Sequence, residues 1–145
     1  MINELYQEII LDHSKRPRNF RRLPDANRKA EGHNPLCGDR CKVFVKEQDG
    51  LIEQIGFEGA GCAISTSSAS LMTEALKGKT VAEAERLLAR FLDLLTKDDP
   101  VPEDLGKLAV FSGVREFPAR VKCATLAWHT LRAALRDSNQ VVSTE

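Results

Sequence analysis

The sequence predicts one α+β domain that contains a small antiparallel sheet. Its 145 residues correspond to a single domain, and a chain of this length can bury a substantial core. Segments with helical and strand periodicity follow one another in the order helix, strands, helices, which is typical of α+β folds. Between the two clearest strands lies Asp49-Gly50, a dipeptide that strongly indicates a tight hairpin turn.

The N-terminal part is predicted to hold one helix followed by the strands. Asn3 is a suitable N-cap for this helix, which should end before Pro17 because a residue that precedes proline is disfavoured in the α conformation. His13 near the helix end is expected to lie at the surface, where the helix dipole favours a cation. The predicted strands are 41–46 and 51–57, with a further short strand near 29–32.

Four more helices are predicted after the strands, with approximate bounds 63–77, 80–96, 103–111 and 118–136. Gly78 closes the first of them, because glycine tolerates the left-handed conformation of a helix C-terminus. Thr80 and Glu83 form a capping box, and Pro118 suits the first turn of the last helix. We expect residues 1–137 to form the domain and residues 138–145 to be a frayed tail.

The composition argues against several classes of protein. Lys and Arg together number 21, as do Asp and Glu, so the net charge is zero and nucleic acid is not an expected partner. Four cysteines are too few for a fold built on disulfides. The sequence lacks a basic leader and an apolar stretch of membrane-spanning length. We therefore expect a cytoplasmic protein with reduced thiols and no membrane partner.

Three of the four cysteines and one aspartate have the local settings of metal ligands. Cys37 and Asp39 stand two residues apart at a strand entry, so in an extended chain both side chains point to the same side. Cys62 begins a predicted helix and Cys123 lies in the first turns of another, where the helix dipole favours a thiolate. Three thiolates and a carboxylate suit a tetrahedral Zn²⁺ site, and they equally suit attachment of an iron–sulfur cluster.

The residues alone leave other interpretations open. Cys62 and Cys123 are explained about equally well as small core residues, since free cysteines are often buried. Cys41 alternates with valines on one face of a strand, and we interpret it as a core residue. Arg120 and Lys122 are close to Cys123 in sequence and are candidates to offset the negative charge of a metal site.

Four short segments form a series along almost the whole chain, at residues 17–19, 34–39, 59–65 and 122–128. In this order they resemble the motifs of the iron–sulfur cluster assembly proteins of the IscU/SufU superfamily, also described as the NifU N-terminal superfamily. The resemblance implies an α+β fold in which a three-stranded antiparallel sheet packs against about five helices.

The SufU branch of the superfamily is the closer match. The IscU branch typically carries a histidine directly before its third cysteine, where this sequence has Lys122. The segment between Gly78 and Cys123 is long, as in the SufU branch, and residues 117–123 are similar to the SufU pattern. The resemblance implies that Cys37 is the sulfur acceptor. It also implies a zinc site with the ligands Cys37, Asp39, Cys62 and Cys123.

The resemblance therefore predicts a zinc-dependent sulfurtransferase in iron–sulfur cluster assembly. Its sulfur would come as a persulfide from a PLP-dependent cysteine desulfurase of the SufS type, and downstream iron–sulfur assembly proteins would receive it. Such a protein acts as the partner of the desulfurase rather than as a free-standing catalyst. The alternative is a scaffold that binds iron and assembles a [2Fe–2S] cluster for transfer to apoproteins. A third interpretation is an interaction module that zinc only stabilises.

Overall fold

The computed structural model describes residues 4–97, 103–136 and 141–143. Three antiparallel strands and five helical segments confirm the predicted α+β class. The predicted N-cap Asn3 lies outside the described residues. In chain order the elements are α1 (Glu4–Lys15), β1 (Arg28–Asn34), β2 (Asp39–Gln48), β3 (Leu51–Ala60), α2 (Ala63–Leu76), α3 (Val81–Thr96), a 3₁₀ segment (Glu103–Glu116), α4 (Pro118–Arg136) and β4 (Val141–Ser143).

The sheet is a meander of two hairpins in which β2 is the middle antiparallel strand. Strand β1 pairs with β2 from Arg28 opposite Val45 to Asn34 opposite Asp39. Asp49 and Gly50 join β2 to β3 with φ angles of 55° and 80°, as the predicted tight turn requires. Strand β1 thus ends at Asn34, β2 begins at Asp39, and the hairpin loop between them carries Cys37.

A fourth strand forms where the sequence suggested a frayed tail. Residues Val141–Ser143 pair in parallel with Glu31, Gly32 and His33, which adds β4 to the free edge of β1. An edge strand presents unpaired backbone groups, and a valine-containing segment has the β propensity to satisfy them. The pairing depends on a distant part of the chain, so the local sequence of the tail did not reveal it.

Helix α4 lies against one face of the sheet and is buried on most of its circumference. It packs on β1 and β2 on one side and on α2, α3 and the 3₁₀ segment on the others. Trp128 at its centre is fully buried and stacks on Phe91 of α3, with the ring centroids 4.3 Å apart. The indole Nε1 donates a hydrogen bond to Ser68 on α2 at 3.1 Å. These contacts hold the middle of α4 in the apolar core.

The helix boundaries follow the local signals with one exception. Thr80 and Glu83 form the predicted reciprocal capping box, and Gly78 has a φ of 83°. The segment predicted as a short helix over 103–111 is instead 3₁₀ helix and continues to Glu116, with a kink at Gly106. No helix in the described ranges is both long and apolar enough to cross a membrane.

His13 is buried, which contradicts its predicted surface position. Only 2% of the residue is exposed, and its Nδ1 is hydrogen-bonded to Ser70 Oγ of α2 at 2.7 Å. The small side chains of α2 allow α1 to pack closely against it, and the imidazole of His13 lies between the two helices. Burial lowers the pKa of His13, and the nearby Arg18 cation lowers it further.

Candidate metal centre

The loop between β1 and β2 presents Cys37 at the surface. The backbone carbonyl of Asn34 accepts hydrogen bonds from the N–H groups of Cys37 at 3.3 Å and Gly38 at 2.8 Å, which closes the loop. Gly38 has a φ of 74°, a conformation that favours glycine. The expectation of an extended Cys37-Gly38-Asp39 segment is therefore wrong, because a turn brings Cys37 back over the start of β2.

Asp39 begins β2 and is buried, with 1% of the residue exposed. Its Oδ1 accepts a hydrogen bond from the backbone N–H of Cys62 at 3.0 Å. A Cβ atom on Gly61 would stand only 2.9 Å from the same oxygen, so any larger residue there would displace the carboxylate. Asp39 thus connects the hairpin loop to the start of α2.

Cys62 is the N-cap of α2, as its predicted position at a helix start implied. Its Sγ accepts a hydrogen bond from the backbone N–H of Ser65 at 3.4 Å. The same sulfur lies 4.0 Å from Asp39 Oδ2. The helix N-terminus therefore holds Cys62 half-buried beside the carboxylate.

Cys123 lies in the second turn of α4 and is fully buried. Its Sγ is 3.5 Å from Cys37 Sγ, and the ligand atoms of Cys37, Asp39 and Cys123 all lie within 4.8 Å of one another. Burial raises the pKa of the Cys123 thiol, and its hydrogen bonds with Asp39 and Cys37 add to the effect. The pKa of Cys123 is therefore raised, not lowered as its position near a helix start predicted.

All four predicted ligand residues fit a zinc ion by donor type, and the ligand atoms of Cys37, Asp39 and Cys123 also fit it by spacing. In a tetrahedral site with Zn–S bonds of about 2.3 Å, two sulfurs lie about 3.8 Å apart, close to the separation of Cys37 and Cys123. Cys62 is not part of this group of three, but its Sγ lies 4.0 Å from Asp39 Oδ2. Three thiolates and a carboxylate leave two formal negative charges on a dication, so nearby cations or hydrogen-bond donors are needed.

Arg120 supplies such a cation. Its hydrogen bond with Cys123 and the negative charges of the cysteines raise the pKa of Arg120. Lys122 follows two residues later on α4 and is half-buried. Among the described residues, no hydrogen bond or ion pair joins Lys122 to a ligand atom. Of the two candidate cations, Arg120 is thus the one that interacts electrostatically with the cysteines.

Cys41 is confirmed as a core residue. It is 4% exposed and belongs to the main apolar cluster, with Val43 and Val45 on the same strand face. Desolvation raises the pKa of its thiol to about 12, so the group stays protonated at neutral pH.

The segment 17–19 stabilises the fold at a distance from the ligand atoms. Arg18 forms an ion pair with Asp12 at 2.7 Å, and its backbone N–H donates to Ser70 Oγ. Asn19 donates to Thr73 of α2 and accepts a backbone hydrogen bond from Phe57 of β3. The motif therefore joins the end of α1 to α2 and to the edge of the sheet.

The role of Asn34 was missing from the sequence prediction. The residue is fully buried, and its Nδ2 lies 3.6 Å from Cys123 Sγ, within hydrogen-bond distance of a sulfur. The sequence shows Asn34 in the segment 34–39, but its contact with Cys123 joins positions 89 residues apart in sequence. No local pattern indicates such a contact.

The fold and the site define a small α+β protein in which two cysteines and an aspartate lie close enough together at a hairpin loop to hold a metal ion. The family of the NifU-like N terminal domain matches residues 5–142, and the chain belongs to that family. Its relatives are iron–sulfur cluster assembly proteins of the IscU and SufU types.

Two curated relatives and one solved structure illustrate the similarity. The iron–sulfur cluster assembly scaffold protein IscU of Streptococcus pyogenes serotype M1 is 41% identical over 138 residues, covering 94% of this chain and 86% of that protein. The zinc-dependent sulfurtransferase SufU of Bacillus subtilis is 42% identical over 133 residues, covering 90% and 88%. A putative SUF-system scaffold protein from Fervidobacterium islandicum aligns with a TM-score of 0.84 at 34% identity, covering 89% of this chain and 95% of that one.

Proposed function

We propose that this chain is a zinc-dependent sulfur carrier of the SufU type. It accepts persulfide sulfur from a PLP-dependent cysteine desulfurase and passes it to downstream iron–sulfur assembly proteins. The observation that carries the proposal is the unequal exposure of the clustered ligands. Cys37 is exposed on a loop, whereas Asp39 and Cys123 are buried and Cys62 is held at a helix start.

Cys37 is the residue that can react with a second protein. Its thiolate attacks the outer sulfur of the desulfurase persulfide, a new S–S bond forms at Cys37, and the desulfurase cysteine leaves as a thiolate. Bound Zn²⁺ would keep the ligand thiols deprotonated near neutral pH. Arg120 balances negative charge at the sulfurs before and after the transfer.

The surface around Cys37 also suits a protein partner. Leu36, next to the acceptor in the chain, is a large apolar residue that is 64% exposed. Large exposed apolar side chains beside a reactive group are typical of surfaces that bind another protein. This arrangement supports docking of the desulfurase directly over Cys37.

A [2Fe–2S] scaffold is the second candidate function. The Streptococcus pyogenes relative is named as a scaffold protein at 41% identity, and thiolate ligands also suit iron–sulfur clusters. Metal analysis and an absorption spectrum of the protein as isolated separate the two functions. One zinc per chain without colour supports the sulfur carrier, whereas a brown iron-containing protein supports the scaffold.

Transfer itself is tested by incubating the zinc protein with a SufS-type desulfurase and cysteine, followed by alkylation and mass spectrometry. We expect persulfide on Cys37 in the wild type and in Cys41→Ser, and none in Cys37→Ser. Persulfide mainly on Cys62 or Cys123 would contradict the assignment of the acceptor. An unchanged desulfurase rate on addition of this protein would favour a module that zinc only stabilises.

A further inference from the structure

Asn34 contacts two of the three cysteine-bearing segments of the site from a fully buried position. It is the last residue of β1, where its backbone carbonyl accepts the hydrogen bonds that close the Cys37 loop. Its side-chain Nδ2 donates toward Cys123 Sγ on α4 at 3.6 Å. One residue therefore joins the loop of the exposed cysteine to the sulfur of the buried one.

The side chain of Asn34 is poorly suited to stabilise the fold by itself. Its Oδ1 is buried and has no hydrogen-bond partner among the residues that the structure describes. A buried carbonyl oxygen without a partner destabilises a protein, whereas an apolar side chain of similar size would not. The amide therefore requires an explanation outside packing, and its contact with Cys123 provides one.

We propose that Asn34 is a positioning residue of the metal centre, whose N–H group stabilises Cys123 as a thiolate ligand. The inference rests on the proposed zinc site. A neutral donor offsets part of the negative charge deep in the site without placing a cation beside the metal. Arg120 is an exposed residue that interacts with the same cysteines, whereas Asn34 reaches Cys123 from the buried interior. Cys123 is thereby held firmly, and Cys37 remains the ligand that is free to exchange.

The test replaces Asn34 with leucine, which is similar in size but has no donor, and with alanine, which cannot overfill the site. Zinc affinity is measured by competition with a chromophoric chelator, and we expect it to fall about 10–100-fold in both variants. In the cobalt-substituted protein, the thiolate-to-metal charge-transfer band should move to longer wavelength, because the sulfur has lost a hydrogen bond.

Ser68→Ala is the matched control. Ser68 is also fully buried and bonds to the backbone of α4 at Ala124, yet its hydroxyl group contacts none of the four proposed ligands in the described hydrogen bonds. This variant should lose thermal stability while its zinc affinity and cobalt spectrum stay unchanged. A purely structural role of Asn34 would make its variants behave like the control, and that result would overturn the inference.

Sulfur transfer is measured separately on the same proteins. A wild type that binds zinc but accepts no sulfur, together with weakened zinc binding in the Asn34 variants, would overturn the proposed function and support this inference. Normal sulfur transfer by the wild type, together with unchanged zinc affinity and cobalt spectrum in both variants, would support the proposed function and overturn this inference. A wild type that binds no zinc overturns both.

Discussion

At the scale of single residues, the site combines side chains that differ sharply in their freedom to move. Cys37 is exposed on a turn, Cys62 caps a helix, and Cys123 is enclosed by α4 and the hairpin. Asp39 is buried and already hydrogen-bonded to the backbone at Cys62. In the proposed site, Cys37 is therefore the ligand with the greatest freedom to exchange.

Replacing any of the three ligand cysteines with serine should weaken zinc binding. The loss should exceed the roughly 10–100-fold effect of removing a supporting hydrogen bond, because a whole ligand is lost. Cys41→Ser is the control, since its buried hydroxyl would lower stability by about 1–3 kcal/mol without touching the site. Full zinc stoichiometry and wild-type affinity in Cys37→Ser, Cys62→Ser and Cys123→Ser, measured by chelator competition, would refute the proposed ligands.

Gly61→Ala should disturb the metal centre without changing a ligand. Its Cβ would stand 2.9 Å from Asp39 Oδ1 and 3.1 Å from Ser65 Oγ, so the carboxylate must shift. We expect weaker zinc binding by chelator competition. Gly50→Ala strains the hairpin turn far from the site, where φ is 80°, and should lower stability by about 1–2 kcal/mol while leaving zinc affinity intact. Equal zinc affinities in the two variants would contradict the close approach.

At the scale of elements, α2 has two functions because its residues are small. Serine and threonine side chains on its buried face bond to α1, α4 and the segment that follows α1. Its N-terminus holds Cys62 and, through the backbone, Asp39. The same helix thus makes packing contacts along its length and contacts with the proposed ligands at its N-terminus.

The contact between α1 and α2 should make stability depend on pH. His13 has a lowered pKa in the folded chain, so the unfolded chain binds a proton more readily. Stability is complete above the ordinary histidine pKa of about 6.5 and decreases as pH falls below it. Thermal melting between pH 7.5 and 5.5 should show a steeper loss for the wild type than for His13→Gln, which keeps a polar side chain but does not titrate. Parallel curves for the two proteins would refute the role of His13.

Local signals predicted the helices and the hairpin because caps, prolines and turn dipeptides act over a few residues. Thr80, Glu83 and Pro118 marked helix starts correctly, and Asp49-Gly50 marked the turn. The local signals failed where an element or side chain contacts a segment that is distant in sequence, as β4 does with β1 and His13 does with Ser70. The candidate ligands were found through their residue types and motifs. The turn at Gly38 and the position of Asn34 depend on how α4 meets the hairpin, which no short segment encodes.

For the whole molecule, a metal bound by these residues would join segments that are far apart in sequence. The proposed ligands come from the first hairpin loop, the start of β2, the start of α2 and α4. Binding to the folded state alone adds about 4 kcal/mol of stability at a thousandfold excess of free zinc over the Kd. For a chain of this size, that corresponds to roughly 10 °C in Tm.

Chelation should therefore lower the Tm of the zinc protein by several degrees, as measured by calorimetry or circular dichroism. The same chelator added to Cys123→Ser, from which zinc should already be lost, should leave the melting curve unchanged. An equal shift in both proteins would mean that the chelator acts elsewhere, and no shift in either would show that metal does not stabilise this fold.

The proposed ligands lie far apart in sequence, and this separation determines when the metal site forms during folding. Cys37 and Cys123 stand 86 residues apart, and their sulfurs meet only after α4 has docked on the sheet. Contacts of such high sequence separation form late, because closing a long loop costs entropy before the contacts between its ends can stabilise the chain. A newly synthesised chain should consequently acquire its complete metal site near the end of its folding path. The rate of cobalt uptake during refolding would then report how fast α4 docks on the sheet.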